Sequence, residues 1–234
     1  MKQLLLISNS TLHGSGYLDH CADEIKRFLE EKNKVLFIPY ARPGGISHEE
    51  YTSTAKKRFK KMGFELTSIT EINDAKNAID STDAIFIGGG NTFVLISMLY
   101  KNNLIEPIRK VVSNGTLYIG TSAGSNVACR SVKTTNDMPI YYPSSFDGLN
   151  LVPFNINPHY IDPDPGSKHM GETRDTRIKE FHVYNDTPVI GLREGAMIHC
   201  VDDSFVLKGD FGAKLFTKDA DPKELKIGKE IKDL

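Results

Sequence analysis

The sequence predicts an α/β fold in which a mostly parallel sheet is flanked by helices. Short apolar runs alternate with helical patterns through the first half of the chain, the mark of parallel strands joined by covering helices. Two of those runs end in glycine-containing turns that open a helix, Gly88-Gly89-Gly90-Asn91 and Gly120-Thr121-Ser122-Ala123-Gly124. The final part of the chain reads instead as short strands separated by turns, which predicts an antiparallel edge added to the parallel sheet.

Taken in order, strands are expected at residues 4–8, 35–39, 84–87 and 117–120. Helices are expected at 17–31, 47–62, 92–100 and 105–113, each with apolar residues three or four apart. Ser47 followed three residues later by Glu50 is a capping-box start. A further helix is expected near 123–129. Six prolines among Asp, Asn and Ser residues then predict long ordered loops over 134–171. Regular structure resumes with a helix near 173–184 and strands near 189–192, 196–201, 204–207 and 214–217. No repeat, low-complexity tract or linker divides the chain, so residues 1–234 are expected to form one domain.

Composition narrows the function classes. With 29 Lys and Arg against 30 Asp and Glu the net charge is −1, and no block of like charges supplies the basic face that nucleic acid or an anionic membrane requires. No apolar stretch approaches the roughly 20 residues of a membrane span. The apolar run at the N-terminus is too short for a signal sequence and lacks a small-residue cleavage site, so it reads as a first buried strand and the expected location is cytoplasmic. Cys21, Cys129 and Cys200 are odd in number and widely spaced, which argues against both a disulfide framework and a zinc site. No His-Glu-x-x-His or comparable ligand set appears, and neither metal nor cofactor is expected.

The turn after residues 117–120 carries the chemistry. A buried strand running into Gly-x-Ser-x-Gly and then a helix holds the serine on a sharp, strained turn with its hydroxyl exposed, and the glycines remove side chains that would clash there. Ser122 is therefore the candidate nucleophile. The Gly88–Gly90 cluster lacks the Lys-Ser/Thr ending of a phosphate-binding loop and the spacing of a dinucleotide fold. At the carboxyl ends of parallel strands the two turns can face one another. Gly89 or Gly90 and Ala123 are then the candidate oxyanion donors, and Asn91 is added to the substrate-binding set.

A serine hydroxyl needs a base and an acid behind it. Of seven histidines, His159 lies in the proline-rich region after Ser122, where stiffened backbone can hold an imidazole. His13 and His169 lie in loops, His20, His48 and His182 on expected helix surfaces, and His199 on a late strand. Two acids compete for the orienting role: Asp137, in a turn-like segment, and Glu194, next to Gly195 at the end of an expected buried strand.

Together these motifs resemble the peptidase E family, the α-aspartyl dipeptidases. The resemblance runs from Leu6-Ile7-Ser8-Asn9-Ser10-Thr11 through Gly88-Gly89-Gly90-Asn91-Thr92-Phe93 and Gly120-x-Ser122-Ala123-Gly124. It continues with Thr134-Thr135-Asn136-Asp137-Met138-Pro139-Ile140, Asn157-Pro158-His159, Gly171-Glu172-Thr173-Arg174 and Glu194-Gly195, covering nearly the whole chain. It implies a fold similar to class I glutamine amidotransferases, a flavodoxin-like three-layer arrangement with serine in place of their cysteine. It also implies a triad of Ser122, His159 and either Asp137 or Glu194, acting on small peptides that begin with aspartate. Arg174 is the residue chosen to grip the aspartate side chain, because a guanidinium offers a carboxylate two parallel hydrogen bonds. Thr121, Ser125 and Arg193 stand where tryptophan, alanine and proline are usual in bacterial members, which bears on pocket shape. A cyanophycinase-like hydrolase of β-aspartyl-arginine polymers and a non-catalytic sensor of the same fold are the alternatives. A monomer or a homodimer fits either reading.

Overall fold

Leu4, Leu5, Leu6 and Ile7 are fully buried, and this unbroken apolar run forms a strand in the interior of a sheet, as expected where both faces are covered. The computed structural model describes every residue except Ser167, His169 and Asp233. Its strands are β1 (Gln3–Ile7), β2 (Lys34–Ile38), β3 (Glu65–Ser68), β4 (Ala84–Ile87), β5 (Leu117–Thr121), β6 (Asn155–Tyr160), β7 (Val189–Arg193), β8 (Ala196–Val201), β9 (Ser204–Gly209), β10 (Ala213–Phe216) and β11 (Lys223–Leu225). The helices are α1 (Ala22–Leu29), α2 (His48–Met62), α3 (Ala75–Ser81), α4 (Thr92–Lys101), α5 (Ile105–Ser113), α6 (Ala123–Ala128) and α7 (Arg174–Tyr184).

The main sheet has the order β3-β2-β4-β5-β1-β8-β9. Its first five strands pair in parallel, and β8 and β9 continue it as the expected antiparallel edge. Alternate residues of β1 point to opposite faces and enter two different cores. Leu5 and Ile7 pack with Ile25 and Leu29 of α1 and Tyr51 and Phe59 of α2. Leu4 and Leu6 pack with Leu95 of α4, Ile108 of α5 and Val127 of α6. Each such leucine contributes about 1.5–3 kcal/mol by leaving water. Helix α2 begins as its sequence requires: the Ser47 hydroxyl accepts from Glu50 N–H at 3.1 Å and the Glu50 carboxylate accepts from Ser47 N–H at 2.7 Å.

A second sheet, β11-β10-β7-β6, corrects the expected arrangement of the C-terminal strands. β7 and β10 do not join the edge of the main sheet; β7 pairs in parallel with β6 and antiparallel with β10. Ile156, Ile190, Leu192 and Leu215 of this sheet pack into the core that holds Leu4 and Leu6. On its other face Tyr160, Val189 and Phe216 pack against Ile178 of α7. The prolines that marked 134–171 as loop concealed β6. Pro158 is tolerated because β6 is an edge strand, where a missing N–H leaves no ladder bond unmade.

Smaller differences have local causes. Helix α1 is shorter than expected because Leu18 takes φ 56° and donates to Ser10 O at 2.7 Å, which puts His20 in a turn. His182 is buried rather than on a helix surface, with Nε2 3.1 Å from Thr187 O. His169 lies outside the described residues. The three cysteines are buried and unbridged, and burial pushes the Cys21 thiol up to about 12. Among the described residues no helix is long and apolar enough to cross a membrane.

Candidate active site

The turn that carries Ser122 forms where β5 meets α6. Ser122 has φ 52° and ψ −110°, a region that non-glycine residues avoid. Backbone bonds hold it there: Ser122 N–H donates to Ile7 O at 3.0 Å, and Ser122 O accepts from Ser125 and Asn126 N–H at 2.9 and 3.0 Å. The turn is possible only with glycine at 124, since a Cβ there would lie 2.1 Å from Ile87 O. The Ser125 hydroxyl lies 2.8 Å from Ile7 O and 2.9 Å from Gly120 O, so this residue adds a tie beneath the turn that alanine could not.

The Gly88–Gly90 loop, at the end of β4, faces the turn. A Cβ at Gly89 would lie 3.1 Å from Ser122 Cβ, which puts this peptide beside the Ser122 side chain. Gly90 has φ 147° and packs so tightly on Ala41 that a Cβ would meet Ala41 O at 2.2 Å. Gly88 N–H and Asn91 N–H are taken by Ile38 O and Ala41 O. Among the described residues no acceptor takes the N–H of Gly89 or Gly90. Ala123 is the first residue of α6, so its N–H has no acceptor within the helix.

His159 comes from the second sheet. The register of β6 against β7 shifts between Pro158 and Tyr160, and His159 occupies the bulge with φ 51°. A bulge re-aims a side chain, and here the ring is aimed at the main sheet: Nε2 lies 3.0 Å from Ser122 Oγ. Nδ1 lies 2.6 Å from Glu194 Oε1, just past the end of β7. With Nδ1–H donating a hydrogen bond to Glu194 Oε1, Nε2 is left as the acceptor for the serine hydroxyl. The His159 and Glu194 side chains are 40% and 47% exposed, so the pair is open to solvent.

Of the two candidate acids, Glu194 meets the imidazole and Asp137 sits elsewhere. Asp137 Oδ2 accepts from Thr92 N–H at 2.7 Å, at the start of α4, and from the Thr135 hydroxyl at 3.0 Å. Asn91, expected in the substrate-binding set, caps the same helix: Oδ1 accepts from Val94 N–H at 3.1 Å and Nδ2 donates to Met138 O at 2.9 Å. Both side chains hold the segment that follows the glycine loop.

Arg174 is the first residue of α7, and among the described residues no carboxylate pairs with it. Burial, reinforced by the nearby Arg177 charge, lowers its pKa. It lines a cleft with Ile161, Asp162, Gly171, Thr173 and Arg177, in the segment that follows β6. Among the described residues no group of three His, Cys, Asp or Glu side chains is placed to hold a metal ion.

Three features of the site carried no assigned role in the sequence. The first is Ser8 and Asn9, fully buried polar residues at the end of β1; their signal was a polar pair closing a buried run at the carboxyl edge of the sheet. The second is Asn136, which donates to Pro158 O at 2.6 Å and accepts from Asn157 Nδ2 at 2.8 Å, tying the Asp137 segment to β6. The third is Arg193. It grips Asp162 with Nε–Oδ2 2.7 Å and Nη2–Oδ1 2.9 Å, and reaches Glu224 with Nη1–Oε1 2.5 Å. Hydrogen bonds from Arg193, then from Lys214, lower the Asp162 carboxyl to about 2 against the opposing effect of partial burial.

Known proteins share this chain over nearly its full length. A Streptomyces coelicolor protein named peptidase E is 46% identical, with 99% of this chain and 94% of that protein aligned. A Drosophila melanogaster protein named probable alpha-aspartyl dipeptidase is 48% identical over 96% of this chain and 93% of its own length. The crystal structure of a peptidase from an acI-B1 actinobacterium superposes with a TM-score of 0.75, covering 98% of this chain and 96% of that one at 18% identity, and shows the same fold. The model of peptidase family S51 matches residues 4–208, a span that includes Ser122, His159 and Glu194, and the chain belongs to that family.

Proposed function

We propose that this protein is a serine dipeptidase that hydrolyses the peptide bond after an N-terminal aspartate. The observation that carries the reading is the Ser122–His159–Glu194 relay, with contacts of 3.0 and 2.6 Å on a strained turn that faces unoccupied backbone N–H groups. The name of the Drosophila relative supports the aspartyl substrate. The relatives do not favour the polymer hydrolase or the non-catalytic sensor.

In this reading Ser122 Oγ attacks the carbonyl carbon of the aspartyl residue as His159 Nε2 takes its proton. The oxyanion is held by Ala123 N–H and by Gly89 or Gly90 N–H. Glu194 steadies the imidazolium without taking its proton. The imidazolium protonates the leaving amine, the C–N bond breaks and an aspartyl ester of Ser122 remains. Water then gives a proton to His159 and attacks the ester; the imidazolium returns that proton to Ser122 Oγ as aspartate leaves. Because the relay draws on both sheets, the whole chain, 1–234, acts as one hydrolase domain.

Arg174 binds the aspartate side-chain carboxylate in this reading. Its lack of an acidic partner among the described residues and its lowered pKa suit a guanidinium that gains from an incoming carboxylate. A panel of Asp-X, Asn-X, Glu-X and β-Asp-X dipeptides tests the proposal. Asp-X should be cleaved fastest, Ser122→Ala should be inactive, and Arg174→Ala should lose most of the preference for Asp-X over Asn-X. Retention of that preference in Arg174→Ala would move the role to another cation, for which Arg42 is a candidate. Its guanidinium lies 4.6 Å from the Tyr51 ring, and Tyr51 packs on Gly88.

A further inference from the structure

Three consecutive residues at the carboxyl end of β1 hold the three parts of the relay. Ile7 O accepts Ser122 N–H at 3.0 Å. Ser8 Oγ accepts His159 N–H at 2.9 Å and donates its one proton to Leu192 O at 2.8 Å. Asn9 Oδ1 accepts Gly195 N–H at 2.8 Å, and its Nδ2 donates to Thr11 O at 2.9 Å. Leu192 and Gly195 flank the segment that bears Glu194, so Ser8 and Asn9 grip the acid from both sides while Ser8 also grips the base.

These bonds satisfy groups the fold would otherwise leave unmade. β6 is an edge strand, and the N–H of a bulged residue has no ladder partner. His159 also sits at φ 51°, a conformation that persists only where its surroundings over-determine it. The Ser8 hydroxyl supplies the missing acceptor at that residue. Both Ser8 and Asn9 are fully buried, where a hydrogen bond is not exchanged for one with water.

We propose that Ser8 is a positioning residue for the hydrolysis, with Asn9 as its partner, and that it sets the distance of the His159–Glu194 pair from Ser122. The proposal rests on reading Ser122, His159 and Glu194 as the catalytic relay. Ser8 does not touch the substrate; it acts through the backbone of His159 and of Leu192. A reacting group displaced by about 1 Å can lose on the order of 10²-fold in rate, whereas the substrate carboxylate is held by a separate cation on α7. Loss of Ser8 therefore falls on kcat and spares KM.

The test is steady-state kinetics of Ser8→Ala on an Asp-X dipeptide, with kcat and KM determined separately and Ser122→Ala as control. The expected result is a kcat lower by on the order of 10²-fold and a KM within about twofold. A folded Ser8→Ala enzyme with unchanged kcat, or with its loss in KM instead of kcat, would overturn the proposal. If Ser8→Ala does not fold, Ser8→Cys carries the test through its weaker donor and acceptor: a lower kcat at constant KM supports the proposal and an unchanged kcat refutes it. Full activity in Ser122→Ala would instead remove the relay itself, which separates failure of the functional reading from failure of this inference.

Discussion

The seven-stranded and four-stranded sheets contribute different kinds of groups to one crevice. The main sheet supplies Ser122 and the Gly88–Gly90 loop, both at carboxyl ends of parallel strands and both fixed by backbone sterics: φ 52° at Ser122 and glycine where a Cβ would strike a carbonyl. The smaller sheet supplies His159 and Glu194, whose placement depends on a bulge and on hydrogen bonds from outside that sheet. Parallel strands with crossover helices leave a crevice at their carboxyl ends wherever the fold occurs. Bringing an imidazole to that crevice requires a second sheet docked against the first. One half of the site follows from topology, and the other from specific polar contacts.

The difference can be broken at either half. The largest expected effect is on the relay itself: Ser122→Ala should lower kcat by about 10⁴-fold or more, and Glu194→Gln by roughly 10²- to 10⁴-fold, in steady-state kinetics on an Asp-X dipeptide. The same measurement on Asp137→Asn should show a loss of about tenfold or less, because that carboxylate caps α4 instead of meeting His159. Equal losses in the two acid variants would contradict the geometry at Nδ1.

Gly124→Ala probes the steric half. Its Cβ would need to displace the Ile87 carbonyl from 2.1 Å, so the variant should lose about 3 kcal/mol in denaturant unfolding as well as its activity. Disrupting Arg193, in the polar half, should act more gently. Arg193→Ala should reduce kcat only a few-fold, with the fold retained, because its ion pairs are partly exposed and screened by water.

The smallest effect is on stability at low pH. Asp162 has a folded-state pKa of about 2, below the usual carboxylate value near 3.9. The unfolded chain therefore binds a proton first as pH falls. The stabilisation from Asp162 is complete above about pH 4 and is lost as pH drops toward 2. Thermal unfolding followed through that window should fall less steeply in Asp162→Asn than in the parent protein; identical slopes would show that the Arg193 contact adds nothing to folding.

What the sequence disclosed follows the same division. The elements of the main sheet that build the crevice were readable because buried parallel strands are continuous apolar runs and Gly-x-Ser-x-Gly has a steric cause at each position. Short polar or marginal pieces such as β3, α3 and β11 left no such periodicity. β6 was concealed because Pro153 and Pro158 read as loop, and nothing local reports that an edge strand tolerates them. The C-terminal strands were recognised one by one, but which sheet each would join is decided by long-range packing of residues such as Ile190 and Leu215 on the core around Leu4 and Leu6. Glu194 and Asp137 were indistinguishable for the same reason: both lie next to turns, and only the docking of the second sheet brings one of them to the imidazole.

The anchoring of the site on residues 7 to 9 also bears on how the site is assembled. The partners of Ser8 and Asn9, namely His159, Leu192 and Gly195, lie 151, 184 and 186 residues further along the chain, and β8, which closes the open side of β1, follows them. Under the proposed mechanism, a chain whose second sheet is undocked carries its serine without a base to activate it. Hydrolytic competence is then tied to completion of the tertiary fold, because in the proposed mechanism the base and its acid reach Ser122 only through these long-range contacts.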